Sequence, residues 1–89
     1  METIDLEPQI SSDRRGVLFT LTSRNGPIEC MILRVAMESY FWLPLDADDA
    51  KMLRTFHDGS RRIQAIAHRK LLAHPAPRVE LTPADFARG

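Results

Sequence analysis

Hydrophobic and polar residues alternate along two consecutive segments in the first third of the chain. Apolar side chains fall on every second position in residues 16–22 and again in residues 28–33, which is the spacing of a β-strand with one buried face. Between the two segments stands Asn25-Gly26, a dipeptide that tolerates the positive φ angles of a type I′ turn. The pattern predicts an antiparallel β-hairpin.

After the hairpin, the hydrophobic period changes from two residues to three or four. Residues 34–43 predict a short helix rich in aromatic side chains, and Pro44 ends it because the residue before a proline is disfavoured in the helical region. Two interpretations of the aromatic end stay open. Tyr40, Phe41 and Trp42 either pack into the core against the hairpin or form a surface for a ligand or partner.

Residues 46–75 contain the longest periodic stretch of the chain. Their apolar positions recur at intervals of three or four, which predicts an amphipathic helix with one buried stripe. Asp46 is the expected N-cap, and Pro75 ends the helix. Gly59 interrupts the good helix formers at a cost of about 1 kcal/mol relative to alanine. Because the hydrophobic phase continues across it, one continuous helix is favoured over two helices that meet at Gly59.

The last part of the chain predicts one more strand and one more helical turn. Residues 77–81 alternate between polar and apolar side chains. Thr82-Pro83-Ala84-Asp85 then provides an N-cap, a proline at the first helical position and an acid at the third. We expect the resulting turn to direct Phe86 back onto the core. Together the segments predict an α+β fold of order ββααβ. A small antiparallel sheet (the hairpin and the C-terminal third strand) carries a short aromatic helix and one long helix on one face.

The chain has 89 residues, which provide one hydrophobic core. Residues 13–87 are therefore expected to form a single domain, and residues 1–12 a flexible lead-in. In that lead-in Ile4, Leu6 and Ile10 either add an edge strand or dock on the core. No run of about 18 apolar residues occurs, the N-terminus lacks the features of a signal peptide, and the one cysteine excludes an intrachain disulfide. These features predict a protein of the reducing cytoplasm.

A set of residues spread over positions 12–86 carries a family resemblance. The set comprises Val17, Leu18, Phe19, Ile28, Glu29, Cys30, Met31, Ile32, Phe56, Arg62, Ile63, Ala67, Leu81, Thr82, Pro83, Ala84, Asp85 and Phe86. In these residues the chain is similar to an uncharacterised bacterial family, the domain of unknown function numbered fourteen-eighty-eight. The resemblance implies a short stand-alone bacterial protein of ββααβ order, and it transfers no catalytic residue.

Residues able to support catalysis or metal binding are few and widely spaced. His57 and His68 lie three helical turns apart, roughly 16 Å along the predicted helix, which is too far to share a metal ion. Cys30, between two isoleucines on one strand face, is expected to be a buried apolar residue. The sequence has no zinc-ligand spacing, glycine-rich phosphate loop or nucleophile motif. We therefore expect a protein that is not an enzyme and has neither a cofactor nor a metal.

Positive charge is concentrated on one side of the predicted long helix. Lys51, Arg54, Arg61, Arg62 and Arg69 fall opposite the apolar stripe on a helical wheel. This face is either simply solvated or binds an anionic partner. The 12 Lys+Arg are balanced by 12 Asp+Glu, and a zero net charge does not favour nucleic acid. Protein interaction or assembly is therefore the expected function, and weak nucleic-acid or regulatory binding through the basic face is the alternative.

The length of the predicted helix suggests an oligomer. A helix over residues 47–74 would be about 42 Å long, whereas a compact domain of this size is about 30 Å across. The helix must therefore overhang its domain or bend at Gly59. An overhang would expose Ile66, Leu71 and Leu72, and a second copy would cover them. On this basis we predict a homodimer through these three residues.

Overall fold

The computed structural model describes residues 8–23 and 26–87. Its elements in chain order are β1 (Gln9–Ile10), β2 (Gly16–Ser23), β3 (Gly26–Leu33), α1 (Arg34–Tyr40), α2 (Asp49–Asp58), α3 (Ser60–Ala73), β4 (Arg78–Leu81) and α4 (Pro83–Ala87). The predicted mixture of a small sheet and helices is confirmed. The first seven residues of the predicted lead-in and Asn25 of the predicted turn lie outside the described residues.

The sheet has four strands in the order β1-β2-β3-β4. The predicted hairpin is confirmed, since β2 and β3 pair antiparallel over their whole length. The strand β1 adds an antiparallel edge in which Ile10 is opposite Val17. The prediction of an antiparallel sheet is wrong for β4, which runs parallel to β3. The reason is the connection. Three helices return the chain across the sheet to the end from which β3 started, as a parallel pair requires.

The core lies between one face of the sheet and the helices. Cross-strand neighbours form two buried rows on this face: Val17–Ile32–Leu81 and Phe19–Cys30–Val79. The ring centroids of Phe19 and Phe56 lie 5.2 Å apart and join the sheet to α2. Cys30 is buried within its row. Its predicted role as an apolar core residue is therefore confirmed.

The predicted long helix is in fact two helices, α2 and α3, which meet at Gly59. The Gly59 N–H donates to the carbonyl oxygens of Thr55 (3.1 Å) and Phe56 (3.2 Å), and its own oxygen accepts from Ile63 N at 3.0 Å. A Cβ at this position would lie 2.6 Å from the ring of Phe41, so the close approach of that ring requires glycine. The single-helix prediction is wrong. The protein measures 37 × 31 × 22 Å, and each of the two helices is shorter than the domain.

The N-terminus of α2 lies further along the chain than predicted. Asp48 is the N-cap, and its Oδ1 accepts a hydrogen bond from Lys51 N at 2.9 Å. The prediction of Asp46 as the cap is wrong because the preceding residues form a separate turn, in which Ala47 N donates to Pro44 O at 3.1 Å. A non-helical loop, residues 41–48, therefore separates α1 from α2.

The C-terminal helical turn forms as predicted. The Asp85 carboxylate accepts a hydrogen bond from Thr82 N at 2.8 Å and closes the start of α4, and Phe86 is buried. The ring of Phe86 stacks on Tyr40 with centroids 5.9 Å apart. Within residues 8–23 and 26–87, no helix has both the length and the apolar character needed to cross a membrane.

Candidate functional site

The loop between α1 and α2 presents two large apolar side chains to water. Trp42 is 89% exposed and Leu45 is 81% exposed. Leu43, between them, is buried in the core, and Phe41 is half-buried against it. This in-and-out alternation attaches the loop to the domain while its tip faces the solvent. We refer to residues 41–48 as the tryptophan loop.

Trp42 has an unfavourable backbone conformation. Its φ is 61°, in the left-handed region that glycine commonly occupies after a helix and that bulky residues rarely adopt. The flanking N–H groups of Phe41 and Leu43 both donate to Met37 O, at 2.9 and 3.2 Å, and so hold the chain in this shape as α1 ends. The conformation costs about 1–2 kcal/mol. Because Trp42 is exposed, burial of its side chain within the domain does not offset that cost.

Arg34, the first residue of α1, fixes the second half of the tryptophan loop. Its Nη2 donates to the carbonyl oxygens of Leu45 (2.8 Å), Ala47 (3.0 Å) and Pro44 (3.4 Å). Its Nε donates to Glu38 Oε2 at 2.9 Å. The rigid guanidinium fork satisfies several acceptors at once. The loop therefore has a defined conformation before any partner binds.

Phe41 supports the loop from the opposite side. Its ring meets that of Phe86 edge to face, with centroids 5.3 Å apart. The guanidinium of Arg62 lies 5.5 Å from the centroid of Phe41 and 5.8 Å from that of Phe86, within the range of a cation–π interaction. Arg62 thus packs on the aromatic rings and forms no ion pair with any described residue.

A depression of about 220 Å³ separates the tryptophan loop from α2. It is lined by Phe41, Trp42, Lys51, Thr55, Asp58 and Gly59. Lys51 and Asp58 are exposed, and in the described part of the chain neither side chain forms an ion pair. One positive and one negative charge are therefore available beside Trp42.

The five residues of the predicted basic face are all exposed on α2 and α3. They are Lys51, Arg54, Arg61, Arg62 and Arg69. The structure brings Lys51 and Arg62 to the tryptophan loop, whereas Arg69 lines a different depression, which it shares with His74 and Asp85. Binding of an anionic partner to this face stays a prediction.

The three residues predicted to form a dimer interface do not share an exposed surface. Ile66 is buried in the core of its own domain, Leu71 is half-buried against that core, and Leu72 is 72% exposed. The division of the predicted helix at Gly59 accounts for the difference. The shorter helix α3 packs on β2, β4 and α4, so the described residues contain no overhanging helix for a second copy to cover.

Sequence reasoning found only part of this site. It named Trp42 together with Tyr40 and Phe41, and the structure divides the three: Tyr40 and Phe41 pack on the core and Trp42 points outward. It missed Leu45 and Arg34. The available signal was the apolar run at residues 42–45 that follows the helix and contains its terminating proline, but exposure of that run depends on tertiary contacts.

Two titratable groups with shifted pKa values, Cys30 and Asp85, have structural roles. Burial raises the pKa of the Cys30 thiol to about 11, so it stays protonated at neutral pH. Burial also acts to raise the pKa of Asp85, but hydrogen bonds from Thr82 and Lys70 outweigh it and hold that pKa below its ordinary value. Among residues 8–23 and 26–87, no three His, Cys, Asp or Glu side chains are grouped so that they could hold a metal ion.

Comparison with known proteins identifies a family without a known activity. A family model described as Protein of unknown function (DUF1488) matches residues 4–81. This range contains all of the sheet, α1 to α3 and the whole tryptophan loop. No curated protein and no solved structure matches the chain.

Proposed function

The chain belongs to the DUF1488 family of unknown function, and we propose that it is a non-enzymatic protein-interaction module that binds its partner through the tryptophan loop. The observation that carries the proposal is the 89% exposure of Trp42 at a φ of 61°. The proposal includes a location in the bacterial cytoplasm, which the family resemblance and the lone cysteine support.

Burial of the exposed side chains supplies the binding energy. An aromatic side chain buries about 150–250 Å², so covering Trp42 contributes roughly 4–6 kcal/mol at about 25 cal/mol per Å², before the costs of association are subtracted. Leu45 adds about 1.5–3 kcal/mol when it is fully covered. Tryptophan is also among the residues that most often dominate the energy of protein interfaces. These gains become available only when a partner excludes water from the loop.

The fixed conformation of the loop supports the same conclusion. Association costs free energy whenever a flexible segment must be ordered. Here the contacts of Arg34 with three loop carbonyls and the burial of Leu43 order the segment in advance. A partner therefore meets an ordered apolar tip, and little of the binding energy is lost in fixing it.

Weak nucleic-acid binding is the alternative function, and one observation favours it. Lys51 lines the same depression as the exposed ring of Trp42, and Arg62 packs on the half-buried ring of Phe41, the residue before Trp42. Proteins that bind single-stranded nucleic acids combine aromatic rings with basic side chains. Two features favour a protein partner instead. Asp58 lines the same depression, and the net charge of the chain is zero.

Affinity capture from extract of the native host tests the proposed function. The baits are the wild-type chain, Trp42→Ala and a matched control, Leu72→Ala. Like Trp42→Ala, the control removes an exposed apolar side chain, but from α3 and not from the tryptophan loop. We expect the wild type and Leu72→Ala to retain the same proteins, and Trp42→Ala to lose them. If Trp42→Ala retains the same proteins as the wild type, the proposal is wrong.

A mobility-shift assay at low salt separates the alternative. Arg54→Ala combined with Arg61→Ala removes two exposed charges and leaves Arg62 on its aromatic support. Nucleic-acid binding predicts a salt-sensitive complex that this double variant weakens. A protein-interaction module predicts no complex with single- or double-stranded polynucleotides.

A further inference from the structure

We propose that the partner of the tryptophan loop is a second copy of this chain, in a two-fold contact in which α2 of each copy runs antiparallel to α2 of the other. The inference rests on the proposed function and names its partner. A two-fold interface uses the same patch on both subunits, so that patch must be complementary to itself.

The charges beside Trp42 meet this requirement. Lys51 and Asp58 are seven residues apart on α2, about 10 Å along the helix axis. Thr55 lies between them, and all three residues line the same depression. If two α2 helices cross antiparallel at Thr55, Lys51 of each copy is opposite Asp58 of the other. An acidic partner would be repelled by Asp58 and a basic partner by Lys51, whereas a second copy supplies both opposite charges.

The shape of the patch fits the same arrangement. Thr55 has a small, half-buried side chain, which allows two helices to approach closely. Trp42 stands at the rim of the depression of about 220 Å³. The two-fold operation places the Trp42 ring of each copy over the depression of the other. Among the described residues, four large apolar side chains are exposed (Val35, Trp42, Leu45 and Leu72), and two of them belong to the tryptophan loop.

Arg54 distinguishes a second copy from an anionic partner. It precedes Thr55 on the exposed side of α2 and forms no ion pair with a described residue. Near the two-fold axis, the two Arg54 side chains repel each other. Arg54→Ala should therefore strengthen the dimer, although the same change would weaken binding of nucleic acid or of an acidic protein.

Light scattering behind a sizing column tests the inference on the full chain, whose mass is 10.1 kDa. Over about 10 µM to 1 mM, a range in which weak dimers assemble, we expect the mass to rise towards that of a dimer. Trp42→Ala should weaken the dimer about tenfold or more. Leu72→Ala is the matched control and should not change it. Circular dichroism of each variant confirms that it is folded.

Charge exchange tests the register of the contact. Lys51→Glu and Asp58→Lys should each weaken the dimer, because each places like charges opposite one another. The double variant Lys51→Glu/Asp58→Lys restores opposite charges at both positions and should regain most of the wild-type affinity. If the dimerisation free energy of the double variant falls by the sum of the two single losses, the antiparallel pairing is wrong.

The remaining outcomes separate this inference from the proposed function. A monomer at every concentration overturns the second copy as partner, and so does a dimer that Trp42→Ala leaves intact. If the chain is monomeric but captures proteins from extract only when Trp42 is present, the interaction module stands and its partner is a different protein. If capture is also independent of Trp42, both proposals fail.

Discussion

Replacing Trp42 by glycine should remove the interaction and leave the stability of the fold nearly unchanged. The reason is that the indole contributes little to its own domain, being 89% exposed, while its backbone is held at a φ of 61°. Glycine adopts this conformation without steric strain. Trp42→Ala is the matched comparison, because alanine also removes the indole but retains a Cβ and hence the strain.

The magnitude follows from three terms. Relief of the left-handed conformation is worth about 1–2 kcal/mol. The greater conformational freedom of glycine in the unfolded chain lowers the stability of the fold by roughly 0.5–1 kcal/mol. Loss of the small covered part of the indole costs about 0.5 kcal/mol, from a tenth of some 200 Å² of side-chain surface. The three terms add to a change in the free energy of unfolding between about −0.5 and +1 kcal/mol for Trp42→Gly, centred close to zero. Trp42→Ala should be slightly destabilised, by about 0.5 kcal/mol.

Urea unfolding followed by far-ultraviolet circular dichroism measures both variants without relying on tryptophan fluorescence. The protein should be dilute enough that any dimer is dissociated, so that the free energies refer to the monomer. We expect the free energy of unfolding of Trp42→Gly to exceed that of Trp42→Ala by about 0.7 kcal/mol, which is the relief of strain less the entropic term. If glycine is less stable than alanine, Trp42 is not in the left-handed conformation. If both variants lose more than about 2 kcal/mol, the indole packs on its own domain and the basis of the proposed function is removed.

Three further predictions concern the residues that support the loop and the sheet. Arg34→Ala should lower the free energy of unfolding by about 2–3 kcal/mol, because several carbonyl and carboxylate acceptors lose their donor. It should also speed amide exchange in the tryptophan loop. Arg34→Lys, which keeps the charge but not the guanidinium fork, should recover only part of the lost stability. Asp85→Asn should cost about 1–2 kcal/mol at neutral pH, because Thr82 N and Lys70 Nζ lose their charged acceptor. Since folding lowers the pKa of Asp85, the extra stability of the wild type over Asp85→Asn should be complete above about pH 4 and vanish as the pH falls through the native pKa. Extra stability that persists in strong acid would show that the Asp85 carboxylate is not its source. Cys30 should react with a thiol reagent at neutral pH only as fast as the protein unfolds, because the thiol is buried and its pKa is about 11; rapid labelling of the native protein in a colorimetric assay would show that the strand opens locally.

Local patterns predicted those elements whose determinants are adjacent in the sequence. The two strands β2 and β3 follow from alternation and a turn dipeptide, and α4 follows from the capping residues Thr82 and Asp85. In each case the signal (the alternation, the turn dipeptide or the capping residues) lies within a short window of the sequence. Periodicity and capping rules find such signals.

Elements decided by distant contacts were predicted less well. The hydrophobic phase continues across Gly59, so one helix was the natural expectation. At Gly59, where the helix divides, the ring of Phe41 approaches so closely that a Cβ would meet it, and Phe41 lies 18 positions earlier in the chain. The direction of β4 likewise depends on how three helices cross the sheet. Neither feature is visible in the hydrophobic periodicity, because each depends on residues in different elements of the chain.

The sequence could not decide between core and surface for Trp42 for a related reason. A helix extended to residue 43 would place Trp42 on one face with Val35 and Ser39, whose exposure is known only from the structure. The helix ends at Tyr40, and Trp42 has a positive φ. The helical period therefore does not determine the direction of its side chain. By the magnitudes given above, a glycine at position 42 would serve the fold about as well. The proposed function explains the tryptophan by a contact that the domain makes with another molecule. The comparison of glycine with alanine at this position, combined with the oligomeric state of each variant, tests that contact separately from the stability of the fold.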